Sequence, residues 1–182
     1  TDAEKAQIDE FVNQLTKELR VNDISVKYDD RDTQRPGFKF AEWELKGVPV
    51  RVAVGARDMQ NGTVELARRD TQTKETVAQE GLAGTIVQLL DTIQENIYQK
   101  ALNFRTSHFT EVNSYDEFKE VLEGKGGFIS CHWDGTTETE KRVKEETKAT
   151  IRCIPLDAKE EEGVCIFTGK PSNRRVLFAK AY

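Results

Sequence analysis

Residues 3–20 place Ile8, Phe11, Val12, Leu15 and Leu19 at three- and four-residue intervals with Lys and Glu between them. That spacing predicts an amphipathic helix, with Asp2 as its N-cap. Ile24–Tyr28 alternates apolar and polar side chains, the pattern of a half-buried strand. A polar loop, DDRDTQRPG, follows, and its Pro36-Gly37 predicts a turn. Phe38–Lys46 reads as a short helix stopped by Gly47, and Val48–Val54 as a buried strand broken by Gly55. Asn61-Gly62 turns the chain into a strand over Thr63–Arg69 that pairs with the one before it. From Val77 to His108 the apolar stripe Leu82, Ile86, Leu89, Leu90, Ile93, Ile97, Leu102 and Phe104 predicts one long helix.

A second unit is expected after a boundary near Thr110–Asn113. Ser114-Tyr115-Asp116-Glu117 is a capping box opening a helix to Leu122, which the glycine-rich stretch at 124–127 stops. Phe128–Trp133 reads as a strand and Glu138–Thr147 as a charged helix. Further strands are expected at Thr150–Ile154, Val164–Phe167 and Arg175–Ala179, around a core of Ile129, Trp133, Val143, Ile151, Val164, Ile166, Val176 and Phe178. Strands alternating with helices on this scale predict an α/β fold with a mixed sheet. The chain opens directly on a helix rather than a strand, so Thr1 is expected to be a boundary inside a larger protein.

Composition narrows the class. Of 182 residues, 37% are apolar and 32% charged, so two small units with charged exteriors fit better than one large core. The net charge of -5 argues against a sequence-blind nucleic-acid binder, whose affinity comes from many cation–phosphate contacts. A local basic patch is still allowed, because Lys46, Arg51, Arg57, Arg68, Arg69 and Lys74 fall close together. No apolar run approaches the roughly twenty residues of a membrane span, and the residues after Thr1 lack a signal-peptide pattern. Cys131, Cys153 and Cys165 are an odd, sparse set, so a reducing compartment, the cytoplasm, is expected. Cys131 and Cys153 read as buried strand residues.

The chemistry concentrates in DRDTQRPGFKFAEWELKGVPVRVAVGARD, residues 30–58. Phe40 offers a flat ring, Glu44 and Asp58 offer carboxylates, and Lys46, Arg51 and Arg57 offer cations. An unstacked nucleobase needs that mixture: a ring for its face, acceptors for its N–H groups, and cations for its carbonyl and phosphates. A purely electrostatic surface would have no use for the acids. Trp43, between these positions, is expected in the core.

That segment, with ARRDTQTKE, EETKATIRCIP, GVCIFTGKPS and the terminal FAKAY, resembles the C-terminal part of the prolyl-tRNA synthetase family in its archaeal and eukaryote-like form. The resemblance implies a class II synthetase anticodon-binding domain over 1–110, a mixed sheet flanked by helices with its first strand missing. It implies a small α+β C-terminal domain over 111–182. By the same resemblance the parent enzyme ligates proline to tRNA(Pro) using ATP and Mg in a catalytic domain upstream, works as a homodimer, and has no membrane partner. The chain itself would then bind tRNA without catalysing anything. Carried over by position, Phe40 stacks on an anticodon base, Glu44 and Lys74 read one guanine, and Asp58 and Arg51 read the other. Arg57 stands where the family often has lysine, which keeps the charge but changes the hydrogen-bond geometry. Arg68 and Arg69 are candidate phosphate contacts, against the alternative of a strand-end charge pair.

Many relatives of this form hold zinc with cysteines spaced Cys-x4-Cys and Cys-x2-Cys. Alignment on Glu145-Glu146-Thr147 and Gly169-Lys170-Pro171-Ser172 puts Asp134, Thr139, Cys165 and Thr168 at those positions. One thiolate and two hydroxyls make a poor tetrahedral zinc set, so no structural zinc is expected. A rearranged site of Asp134, Cys165 and His132 is the alternative. In the family the terminal carboxylate, here on Tyr182, docks on the catalytic domain. Two other readings remain at this point: a docking or dimerisation module without RNA binding, and an unrelated α/β enzyme with Cys165 as nucleophile and His132 nearby.

Overall fold

The computed structural model describes residues 1–181. The chain divides into two compact units, residues 1–99 and 100–182, ahead of the 110/111 boundary expected from sequence.

In the first unit, α1 (Asp2–Val21) begins one residue earlier than its pattern suggests. Thr1, not Asp2, is the N-cap: its hydroxyl accepts from the Glu4 N–H at 3.4 Å, and the Glu4 carboxylate returns to the Thr1 amine at 2.7 Å. Reciprocal bonds of this kind satisfy donors the first helical turn leaves open. Leu15 and Leu19 are the buried face, packed with Val64, Leu66, Leu82 and Ile86. Each such side chain contributes roughly 1.5–3 kcal/mol through burial.

Ile24–Tyr28 does not join a sheet. Ile24 and Val26 pack on the core as the alternation requires, but no strand among the described residues pairs with them. Alternation selects a buried face; a strand also needs a neighbour for its N–H and C=O groups. Helix α2 (Pro36–Leu45) starts where a turn was expected, with Pro36 in the first turn, where its missing N–H costs nothing. Gly47, at φ +85°, ends it.

Strand β1 (Val50–Ala53) leads through a short helix, α3 (Ala56–Asn61), to β2 (Thr63–Arg68) and β3 (Lys74–Ala78). The sheet order is β1-β2-β3, antiparallel throughout. β3 takes the residues at which the long helix was expected to begin, because Val77 and Glu75 pair with Val64 and Leu66. Helix α4 (Leu82–Ser107) therefore starts at Leu82, and the division between the units falls within it. Leu82, Ile86 and Ile93 are buried, whereas Ile97 and Phe104, expected on the same stripe, are exposed.

The second unit holds β4 (Phe109–Glu111), α5 (Tyr115–Glu123), β5 (Phe128–His132), α6 (Thr137–Thr147), β6 (Ala149–Cys153), β7 (Gly163–Val164), β8 (Pro171–Ser172) and β9 (Arg175–Lys180). Its main sheet has the order β4-β5-β9-β6 and is mixed, β4 and β5 being parallel and the other pairs antiparallel. The Ser114–Glu117 capping box is present and sets the start of α5. Phe118 is the central core residue, edge-on to Phe178 at 5.4 Å and surrounded by Ile129, Cys131, Val143 and Val176. Trp133, Ile151 and Ile166 pack at the margin of this core. Val164 and Cys153 are exposed, against expectation. A register shift between Ile151 and Cys153 ends the alternation that would have turned Cys153 inward.

Candidate nucleic-acid interface

Phe40 and Glu44 are four residues apart on α2, and so share one helix face. Together with Arg51 from β1 and Lys74 from β3 they line a small cavity of about 80 Å³. The Arg51 guanidinium carbon lies 3.4 Å from the Phe40 ring centroid, a cation–π stack that covers one ring face. Arg51 Nη2 reaches Glu65 Oε1 at 3.3 Å, and Lys74 Nζ approaches the same oxygen at 3.7 Å. Arg51 Nη1 is buried with no hydrogen-bond partner. Glu44 is exposed, and its carboxylate bonds to no other group among the described residues; its backbone carbonyl accepts from Gly47 N–H and from Arg69 Nε, both at 3.0 Å. The cavity thus sets an unspent carboxylate beside a stacked guanidinium and an ammonium. That combination can accept from the N–H groups of a planar base and donate to its carbonyl.

Arg57 and Asp58 stand apart from this lining, on the first turn of α3. Asp58 Oδ2 accepts from the Gly55 N–H at 2.8 Å, so one carboxylate oxygen caps its own helix. No hydrogen bond or ion pair among the described residues joins Asp58 to Arg51. Arg68 is held by Asp70 through bonds of 3.1 and 2.8 Å, and this pairing lowers the Asp70 carboxyl and raises Arg68. Arg68 is therefore engaged by Asp70, with both side chains largely covered rather than on a solvated face. Arg69 is exposed and ties the β2–β3 hairpin to α2 through the Glu44 carbonyl.

Two features escaped the sequence reading. Asp29 is a hub: it accepts from Arg31 at 2.6 Å and from Trp43 Nε1 at 2.8 Å, while its backbone carbonyl takes Lys39 Nζ at 3.2 Å. Trp43, expected in the core, is half-buried with its N–H spent on this carboxylate. Arg31 and then Trp43 hold the Asp29 carboxyl well below the usual carboxylate range. Glu42, bonded to Lys46 and Arg31, is also lowered. This network fastens the 29–35 loop to the helix that presents Phe40 and Glu44. The Asp-x-Arg spacing of Asp29 and Arg31 was its only sequence signal. Glu65 was the other omission; Val64 and Leu66 are buried, which turns it to the outer face of the sheet with Arg51.

In the second unit, three of the four positions aligned with zinc ligands, Asp134, Thr139 and Thr168, are joined by hydrogen bonds. Asp134 Oδ2 accepts from Thr139 Oγ1 at 2.8 Å and Thr168 Oγ1 at 2.9 Å, and Oδ1 accepts from the Thr136 hydroxyl and backbone N–H at 2.8 and 3.1 Å. Partial burial opposes ionisation, but the threonine bonds win and lower the Asp134 carboxyl. With both carboxylate oxygens committed and hydroxyls at two positions, this set does not fit zinc. No group of three or more His, Cys, Asp or Glu side chains suited to a metal occurs among the described residues. His132 Nδ1 faces Ser172 at 3.2 Å and Nε2 faces Glu161 at 3.4 Å, and neither nitrogen bonds to the buried Cys165 among the described residues. Cys165 is 2% exposed and has no histidine bonded to it among the described residues, so the geometry gives no support to a catalytic thiol there. Tyr182, expected from the resemblance to dock on the catalytic domain, lies outside the described residues. No helix among them is long and apolar enough to cross a membrane.

Residues 2–89 match the family model described as the anticodon binding domain, which puts the first unit in the class of synthetase anticodon-binding domains. Residues 115–182 match the model described as prolyl-tRNA synthetase, C-terminal. Proline–tRNA ligase of Flavobacterium johnsoniae is 65% identical over 182 residues, which is 100% of this chain and 37% of that protein. The Porphyromonas gingivalis W83 protein of the same name is 62% identical over 177 residues, 97% of this chain and 36% of its own length. That of Amoebophilus asiaticus is 51% identical over 182 residues, with coverage of 100% and 37%. The chain belongs to the prolyl-tRNA synthetase family, and spans just over a third of the length of these relatives.

Proposed function

We propose that the first unit reads the anticodon of tRNA(Pro), with Phe40, Glu44, Arg51 and Lys74 as the principal contacts. The observation that carries this reading is the exposed, unpaired Glu44 carboxylate beside the Phe40–Arg51 stack. Proline anticodons end in two guanines. Guanine presents N1–H and N2–H side by side, which one carboxylate accepts together, with O6 next to them for a cation. Each such contact is worth roughly 1–3 kcal/mol of discrimination, by analogy with base-edge readout in DNA. Arg57 and the free oxygen of Asp58 form a second, separate contact to the anticodon loop, and Arg69 a contact to its phosphates. Residues 111–182 act as the C-terminal domain of the enzyme.

The parent activity we propose is ligation of proline to tRNA(Pro), driven by ATP with Mg2+ in a catalytic domain outside these residues, within a cytoplasmic homodimer. The test is direct titration of the 182-residue chain with a proline anticodon hairpin and with one whose two guanines are replaced. Selective binding of the first supports the reading. Equal binding of both removes base recognition, and no binding of either favours a docking or dimerisation module.

A further inference from the structure

The outer face of the first sheet carries a row of side chains across its strands. Arg51 on β1 stands opposite Ala67 on β2, and Ala67 stands opposite Lys74 on β3. The small Ala67 side chain leaves the middle of that row open, so the two cations flank a hollow that all three residues line. Glu65 lies two residues back on the same face of β2, and its Oε1 meets Arg51 Nη2 at 3.3 Å and Lys74 Nζ at 3.7 Å.

We propose that Glu65 is a positioning residue that makes this hollow select a base edge over a bare phosphate. The inference rests on the anticodon reading above. Two cations on either side of a hollow would otherwise form a phosphate site, attractive to any RNA. Glu65 cancels one of their charges and holds Arg51 Nη2 and Lys74 Nζ at a single carboxylate oxygen. Glu44 at the rim balances the second charge, and with Arg68 paired to Asp70 the remaining cation of the lining is Arg69. An anionic phosphate then gains less than it would without Glu65, whereas a neutral base that gives N–H groups to Glu44 and receives donors from the cations gains from both. Arg51 is held in this pose from its other side by the Phe40 ring.

The test is Glu65→Gln, an isosteric change at a side chain that is 40% exposed, with folding verified by circular dichroism. Affinities for the proline anticodon hairpin and for the guanine-replaced hairpin are measured across a salt series. The replaced hairpin should bind more tightly to the variant. The slope of log affinity against log salt should steepen by about 0.7–0.9, the increment for one extra phosphate contact. The ratio of matched to replaced affinity should fall about fivefold or more. An unchanged ratio, or equal weakening of both RNAs with an unchanged slope, overturns the role of Glu65 while leaving anticodon reading intact. Failure of the unsubstituted chain to distinguish the two hairpins overturns both.

Discussion

Replacing Glu44 with glutamine removes the feature of the cavity that a simple phosphate-binding surface would not carry. In the free chain its carboxylate makes no bond among the described residues, and the carbonyl that accepts Arg69 Nε at 3.0 Å belongs to the backbone. The substitution therefore breaks no internal contact, and stability should change by no more than about 0.5 kcal/mol. Binding should change far more. A carboxylate accepts from two adjacent guanine N–H groups, whereas glutamine has one acceptor and turns an NH2 toward the other donor. Loss of one such contact costs roughly 1–3 kcal/mol, which is about 5- to 150-fold in Kd. Urea unfolding gives the first quantity and fluorescence anisotropy with a labelled hairpin the second. A hairpin carrying inosine at each guanine position in turn, which deletes only the N2 amino group, completes a double-mutant cycle. The loss caused by Glu44→Gln should shrink at the position Glu44 reads. If the variant weakens guanine and inosine hairpins by the same factor at both positions, the carboxylate does not touch a guanine edge and the reasoning fails.

Other variants test the second unit. Asp134→Asn keeps the shape of the threonine knot but leaves the hydroxyls of Thr139 and Thr168 facing an amide. Allowing for partial exposure and re-pairing, this should cost about 2 kcal/mol in urea unfolding. The Asp134 carboxyl is lowered in the fold from 3.8, so its contribution is present above that pH and lost as pH falls through the lower, folded value. The stability deficit of the variant should therefore be full at pH 7 and shrink in acid below pH 3.8, and a deficit that does not vary would contradict this account. Gly127→Ala places a Cβ against the His108 carbonyl at a backbone φ of +90°. It should lower stability by more than about 2 kcal/mol, visible as a reduced thermal midpoint.

Helices α1, α5 and α6 were legible because their signals are local. The Ser114–Glu117 capping box and the apolar spacing of Leu15 and Leu19 act within a few turns of chain. The pair Phe40 and Glu44 was legible for the same reason, since four residues on a helix fix a shared face. Strand β3 was not: Lys74-Glu75-Thr76 has no apolar alternation of its own and becomes a strand only through its pairing with β2. Ile24–Tyr28 shows the reverse, a strand pattern with no partner. Asp58 could be recognised as a candidate carboxylate, but its capping bond to Gly55 depends on the α3 turn.

The sequence by itself determined the two-unit organisation, the main helices, and a set of aromatic, acidic and basic groups suited to a base. These follow from short-range spacing, which steric and hydrophobic periodicity translate directly into helix faces and core positions. Tertiary structure alone decided that Arg51 lies on the Phe40 ring, that Glu65 bridges both cations, and that the hydroxyls of Thr139 and Thr168 bond to Asp134. Those contacts join side chains on different elements, and their energies depend on distances that chain spacing does not contain.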